Sequence, residues 1–113
     1  MTAQVWLFGM DARRDVLFVV DITLPRTSLS TFDLKSIRSV SRRTTTDAPE
    51  TETDIRAILT MDHQDGGRSG FFLDLHTTDA DYSRLGRDVL ERTVVVYDPR
   101  GGNLLVEVLD ADL

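Results

Sequence analysis

The sequence contains no cysteine, and this absence excludes several classes of protein at once. A chain without cysteine has no disulfide framework, no thiolate ligand for zinc and no thiol nucleophile. Long apolar runs are missing too, since none approaches the roughly 20 residues of a membrane-spanning helix. The N-terminus also lacks the basic stretch followed by an apolar one that marks a secretory signal. We therefore expect a cytoplasmic protein, or one that enters a particle assembled in the cytoplasm.

Catalytic signatures are absent as well. The sequence has no Gly-x-Ser-x-Gly elbow, and its paired glycines are not followed by the Lys-Ser/Thr of a phosphate-binding loop. The two histidines, His63 and His76, lie among aspartates, but the strand pairing predicted below puts them on opposite faces of a hairpin. A metal needs three or four converging ligands. We expect no enzyme, no metal and no cofactor.

Lysine is nearly absent, and the charge is acidic overall. Lys35 stands alone against 12 arginines, 15 aspartates outnumber 4 glutamates, and the net charge is -6. This balance argues against a surface that binds nucleic-acid phosphates. Two origins of the composition stay open: adaptation to high salt, or a GC-rich genome that favours Arg codons.

The overall composition predicts one folded domain. Apolar residues make up 41% of the 113 residues, enough for one core and too many for a disordered chain. We predict a single domain over 1–113 with an α+β fold, in which antiparallel sheet or sheets are built from three β-hairpins. One helix is predicted at about 79–92 and a short one at about 30–39, for which a strand from near Ile37 is the alternative.

The first hairpin is predicted within 5–22, where two apolar runs flank a polar loop. Pairing Met10 with Asp15 makes both faces apolar. The cross-strand pairs are Val5–Val20 and Leu7–Phe18 on one face, and Trp6–Val19 and Phe8–Leu17 on the other. Strands of this kind are buried on both sides or lie at an interface. Trp6 and Phe8 are therefore candidate partner-binding residues.

The second hairpin is predicted within 55–77. Pairing Gln64 with Gly70 across a five-residue loop, 65–69, keeps the apolar side chains of both strands on one face. A two-residue loop at the paired glycines would turn them to opposite faces. The other face is polar, and Phe72 on it is a further candidate for partner binding.

A third hairpin is predicted within 93–109, with Asp98 opposite Asn103 around a turn that contains Pro99 and two glycines. The helix at 79–92 is predicted from an acidic first turn and an apolar stripe. Gly86 inside that stretch is expected to mark a close approach to the sheet.

A long polar loop is predicted at 41–54, and its charge is divided between its two ends. The residues that give it this division are Arg38, Arg42 and Arg43 before or early in it and Glu50 and Glu52 near its end. The loop is either a solvated excursion or an arm that becomes ordered against a neighbouring molecule.

Three functional hypotheses follow from these features. The first is a non-enzymatic structural or assembly subunit, such as a component of a virus particle or a multi-protein machine, because the hairpins carry more apolar surface than a small monomer needs. Its partners would be proteins, including other copies of the chain, and neither nucleic acid nor membrane. The alternatives are a small acidic regulatory binder or inhibitor of the anti-defence or immunity type, which mimics nucleic acid or engages a basic partner, and a small ligand-binding module.

Overall fold

The computed structural model describes residues 1–8, 13–39, 54–62 and 66–113, with the backbone alone at 103–105. The elements along these residues are β1 (Thr2–Leu7), β2 (Arg13–Val20), β3 (Ser28–Ser30), α1 (Thr31–Ser39), β4 (Asp54–Asp62), β5 (Arg68–Thr78), β6 (Ser83–Leu85), α2 (Arg87–Leu90), β7 (Thr93–Asp98) and β8 (Asn103–Val108). The predicted loop at 41–54 lies outside the described residues, apart from Asp54, which begins β4.

Six of these strands form a closed barrel in the order β1-β2-β6-β3-β5-β4. The pairs β1–β2, β1–β4 and β4–β5 are antiparallel, whereas β2–β6 and β3–β5 are parallel. The α+β class is confirmed, but the prediction of sheets made only from hairpins is incomplete. Because β3 and β6 have three residues each, they are too short to show the alternation that identifies a strand in a sequence.

The barrel is filled by alternate side chains of its strands, as the two-residue period of a strand requires. Phe18, Phe71 and Leu59 are among the largest side chains that are fully buried. The other strand residues of the core are Ala3, Val5, Leu7, Val16, Leu29, Ile55, Ala57, Met61, Leu73, Leu75 and Leu85.

The first hairpin exists, but its predicted register is wrong. Trp6 lies opposite Arg13 rather than Val19, so the register differs by six residues from that set by the pairing of Met10 with Asp15. The predicted register is the one that gives the most apolar cross-strand pairs within the hairpin alone. In the barrel, the end of β2 from Phe18 to Val20 pairs with β6 instead. The inward set is unchanged because both registers keep the same alternation.

The second hairpin is confirmed with its faces correct and its register wrong. Asp62 lies opposite Arg68 rather than Gln64 opposite Gly70, so five residues, 63–67, separate the last paired positions of the two strands. The register differs by four residues from the predicted one, and an even difference leaves every side chain on its predicted face. The observed register also joins Arg68 Nε to Asp62 Oδ1 at 2.8 Å.

The helix predicted at 79–92 is wrong. Residues 83–85 form β6, and α2 is a single turn at Arg87–Leu90. The break occurs at Gly86, where the backbone is extended and a Cβ atom would lie 2.5 Å from the carbonyl carbon of Arg26. The close approach predicted for this glycine therefore exists, but it is to the chain before β3. Of the apolar stripe predicted for the helix, Leu85 and Val89 are fully buried, whereas Tyr82 is 44% exposed.

The short helix predicted at 30–39 is confirmed as α1. Ser30 caps it, since its Oγ accepts a hydrogen bond from the Asp33 amide at 3.1 Å. The Asp33 carboxylate in turn accepts hydrogen bonds from Ser30 and from Ser83 of β6. Leu34 and Ile37 are buried, so α1 packs its apolar side on the core.

The third hairpin is confirmed with its predicted register, Asp98 opposite Asn103. Gly102 in its turn has φ +67°, the left-handed conformation that glycine adopts without strain. Val106 and Val108 pack against the barrel core, although β7 and β8 form a separate two-stranded sheet. Within the described residues, neither helix has the length and apolarity to cross a membrane.

Candidate interaction surface

An apolar patch lies on the outside of the barrel, across β1, β4 and β5. Trp6 pairs with Ile58 in the strand register, and Ile58 pairs with Phe72. Phe8 follows directly after β1, and its amide donates to the Arg56 carbonyl at 3.1 Å. We call Trp6, Phe8, Ile58 and Phe72 the outer aromatic patch.

The side chains of the outer aromatic patch are well exposed for their size. Trp6 is 44% exposed, Phe8 54% and Phe72 48%, while Ile58 is half-buried. The rings of Phe8 and Phe72 contact each other, with their centroids 6.2 Å apart. Strand alternation explains why they face outward, because their neighbours in sequence already fill the barrel. At the Phe71-Phe72 pair, for example, Phe71 is fully buried.

Charged groups border the patch. A groove of about 280 Å³ is lined by Phe8, Phe72, Leu73 and the charged pair Arg56 and Asp74. Arg56 Nε lies 3.7 Å from the Asp74 carboxylate, and both side chains are mostly exposed. On the far side, the guanidinium of Arg13 lies over the ring of Trp6 at 5.9 Å from its centroid. An apolar centre with a polar rim is the usual anatomy of a protein–protein interface.

The backbone beneath the patch is held by Asp112, near the end of the chain. Its carboxylate accepts a hydrogen bond from the Phe72 amide at 2.8 Å and forms an ion pair with Arg92 at 3.0 Å. The hydrogen bond from Arg92, then that from Phe72, lower the pKa of Asp112 below its ordinary value. Asp112 likewise raises the pKa of Arg92. Because Arg92 directly precedes β7, this carboxylate ties the third hairpin to the barrel.

The structure brings together three of the predicted partner-binding residues: Trp6, Phe8 and Phe72. Arg38 lies elsewhere, on α1, where it lines a separate depression of about 470 Å³ with Lys35 and Asp79. Four further candidates lie outside the described residues: Arg42, Arg43, Glu50 and Glu52.

Sequence reasoning missed other exposed apolar residues as binding candidates, and several of them lie on β2 and β7. On β2, Leu17 and Val19 face outward, where the predicted register had paired them with Phe8 and Trp6. On β7, Val94, Val96 and Tyr97 are exposed. The run of valines was a signal for β7, because a strand with apolar residues at consecutive positions has two apolar faces.

Several aspartates of the described ranges form ion pairs with arginines. These pairs are Arg26–Asp54, Arg56–Asp74, Arg68–Asp62, Arg84–Asp21, Arg92–Asp110 and Arg92–Asp112. In the described parts of the chain, no three acidic, histidine or cysteine side chains are grouped as metal ligands. His63 falls outside those parts, so the predicted separation of the two histidines stays a prediction.

The chain matches no protein-family model, no curated protein and no solved structure.

Proposed function

We propose that the chain is a structural or assembly subunit that acts through protein–protein contacts, as a component of a virus particle or another multi-protein machine. The observation that carries this proposal is the outer aromatic patch, three aromatic rings about half exposed on a barrel whose interior is already filled. Exposed apolar groups that cluster within a polar rim are the usual mark of a binding surface.

The rigidity of the patch supports this function. Its residues stand on three hydrogen-bonded strands of a closed barrel, so little conformational entropy is lost when a partner binds. The aromatic side chains also supply large contact areas with few rotatable bonds. We therefore assign the patch to contact with a folded protein surface, in the cytoplasm or in a particle assembled there.

The distribution of charge favours assembly over the acidic binder. A nucleic-acid mimic needs carboxylates that form one continuous surface, whereas several carboxylates of the described strands are paired with guanidinium groups, as in Arg56–Asp74 and Arg68–Asp62. Such pairs reduce the local negative field.

Light scattering across a concentration series tests the proposal. We expect oligomers at tens of micromolar, and we expect the double variant Phe8→Ser/Phe72→Ser to form smaller species than the wild type at each concentration while keeping its far-ultraviolet circular dichroism spectrum. A wild-type chain that stays strictly monomeric at all concentrations would contradict the proposal.

A further inference from the structure

The edge of β7 that faces away from β8 has no neighbouring strand among the described residues. The direction of its backbone groups follows from one hydrogen bond: the Leu109 amide donates to the Arg92 carbonyl at 2.9 Å, in the register of the hairpin. Hydrogen-bonded and non-hydrogen-bonded pairs alternate along an antiparallel ladder, so the amides of Val94 and Val96 point toward β8. The amides of Thr93, Val95 and Tyr97 therefore face outward.

This edge lacks the features that keep exposed strands from pairing. From Thr93 to Tyr97 it carries neither charge nor proline, and all five residues, Thr-Val-Val-Val-Tyr, favour strands. Val94 and Val96 are 40% and 51% exposed on the outer face of the hairpin. Such an edge is a template for another strand.

The hairpin extends beyond the barrel, which leaves room for a neighbour. Thr93, at the start of β7, is 9% exposed, whereas Tyr97, two alternations later on the same face, is 63% exposed. Val95 between them is half-buried. The barrel therefore covers the beginning of β7 and leaves its end uncovered.

We propose that β7 pairs antiparallel with β7 of a second copy, around a two-fold axis at Val95. In this register Val95 meets Val95, and Thr93 meets Tyr97 of the other copy. Each outward amide of β7 then donates to a carbonyl of the other copy, because Thr93, Val95 and Tyr97 direct both their amides and their carbonyls away from β8. A centre moved toward the turn would set a strand residue against Pro99, which has no amide hydrogen.

The side chains also suit a second copy. The register sets Val94 against Val96 and so joins the exposed valines of both copies into one apolar cluster. At its ends Asp98 lies opposite Arg92, and these charges are of opposite sign. The Arg92 guanidinium is already held by Asp112, so this attraction acts at longer range. Tyr97 comes to lie beside the other copy's Thr93, where that copy's barrel covers its ring.

This inference rests on the proposed function, since it names a second copy as one partner, but it uses a different surface from the outer aromatic patch. The edge of β7 and the patch lie on separate sheets. Substitutions in one surface therefore leave the other intact, and the two proposals fail separately.

Single cysteines test the register, because the natural chain has none to interfere. A Val95→Cys variant places both thiols at the axis, where a hydrogen-bonded pair has Cα atoms about 5.5 Å apart, within disulfide range. In the Val94→Cys and Val96→Cys variants, each cysteine lies opposite a valine of the other copy. The Cα atoms of the two equivalent cysteines are then about 8 Å apart, which is beyond that range. We expect mild oxidation to cross-link Val95→Cys at least about tenfold faster than either control, although the controls are more exposed. Equal rates, or faster rates in the controls, would overturn the proposal.

A second pair of variants tests the hydrogen bonds. Val95→Pro removes an outward amide without breaking the ladder to β8, whereas Val95→Ala removes the same side chain and keeps the amide. By sedimentation we expect Val95→Pro to raise the dissociation constant of the dimer at least about tenfold relative to Val95→Ala. Identical constants in two folded variants would contradict the edge pairing. If Val95→Pro unfolds the hairpin, the cross-linking rate of Val95→Cys relative to Val94→Cys and Val96→Cys decides whether β7 pairs with β7.

The patch variants separate the two proposals. If Phe8→Ser/Phe72→Ser dissociates the wild-type oligomer while Val95→Cys shows no preferred cross-linking, the β7 pairing is wrong and the proposed function stands. If Val95→Cys cross-links at the expected rate in the patch variant too, the β7 pairing holds independently of the patch.

Discussion

Phe8 and Phe72 contact each other on the outside of the barrel, with their ring centroids 6.2 Å apart, although β4 lies between the strands that carry them. The two rings meet across the outer face of β4, which requires both side chains to point outward from the same region of the barrel. Two rings that are each about half exposed have thus been gathered at one place.

The first prediction concerns this contact. Phe8→Ser combined with Phe72→Ser is expected to weaken oligomerisation at least about thirtyfold, because the loss of one central aromatic residue costs an interface about 2 kcal/mol and the contributions of two residues in contact do not simply add. The unfolding midpoint should change less than oligomerisation does, because both rings are about half exposed and lie outside the barrel core. Light scattering and thermal unfolding measure the two effects.

Phe32→Ser is the matched control for these variants. Phe32 is 75% exposed on α1, so the same substitution removes the same ring from a different surface. Oligomerisation should be unaffected by it. An equal loss in the control would show that ring removal acts through general surface hydrophobicity rather than through the patch.

The second prediction concerns pH. The pKa of Asp112 is lowered in the folded protein, chiefly by the hydrogen bond from Arg92. Its stabilising contribution is therefore complete above the unfolded pKa, near 4, and is lost as the pH falls through the lower folded pKa. Asp112→Asn should unfold at a lower temperature than the wild type at neutral pH, and the difference should shrink as the pH falls below about 4.

Asp110→Asn is the control for that experiment. Asp110 also faces Arg92, but at 3.9 Å and with 80% of its side chain exposed, so solvent screens the pair. Its unfolding midpoint should stay near that of the wild type at every pH. A constant difference between Asp112→Asn and the wild type from pH 7 to pH 2 would contradict the assigned ion pair.

The third prediction concerns Gly86. An added Cβ would lie 2.5 Å from the carbonyl carbon of Arg26 and 2.8 Å from the Thr27 nitrogen, and these backbone atoms cannot turn away. Gly86→Ala should therefore destabilise the fold by about 3 kcal/mol in urea unfolding. Gly66→Ala is the comparison, because its Cβ meets nothing within 4 Å and only its φ of +89° resists the change. That variant should lose about 1–2 kcal/mol, and a larger loss than in Gly86→Ala would refute the steric explanation.

The fourth prediction concerns Thr27, which is fully buried. Its hydroxyl donates to Asp88 Oδ1 at 2.6 Å and accepts from the Gly86 amide at 3.1 Å. Thr27→Val keeps the shape but leaves both groups without this partner, which should cost about 2–3 kcal/mol of unfolding free energy.

Thr2→Val supplies the baseline for this measurement. Thr2 is exposed on β1, so the same exchange there should stay within about 0.5 kcal/mol of the wild type. If Thr27→Val were equally neutral, the hydrogen bonds at Thr27 would not be the ones that hold β3 to the region of α2.

The faces of the long strands could be predicted from the sequence, because alternation is a local property. Leu59 and Phe71 belong to the apolar face of the second hairpin and Phe72 to the opposite face, and they stay on these faces because the register differs by an even number of residues. The helix α1 was predictable for a similar reason: its cap at Ser30 and its apolar residues lie within a few positions of each other.

Barrel closure was not predictable, because it depends on pairs that are far apart in sequence. Phe18 pairs with Ser83, and Ser28 with His76, through strands of three residues whose pattern fits a helix equally well. For the same reason, the sequence does not predict that the residues of the outer aromatic patch lie together. Trp6 and Phe72 were each identified, but their proximity depends on the pairing of β1 with β4.

The position of β6 between β2 and β3 has a consequence for how the chain folds. During synthesis, β1 to β5 are complete by residue 78, yet the cylinder stays open until Ser83–Leu85 enters the gap. Folding must therefore wait for a late and very short segment, whose insertion closes loops of more than fifty residues. Contacts of such separation slow folding. Until β6 is in place, β2 and β3 lack the strand that lies between them in the barrel, and unpaired strand edges of this kind are prone to misassembly.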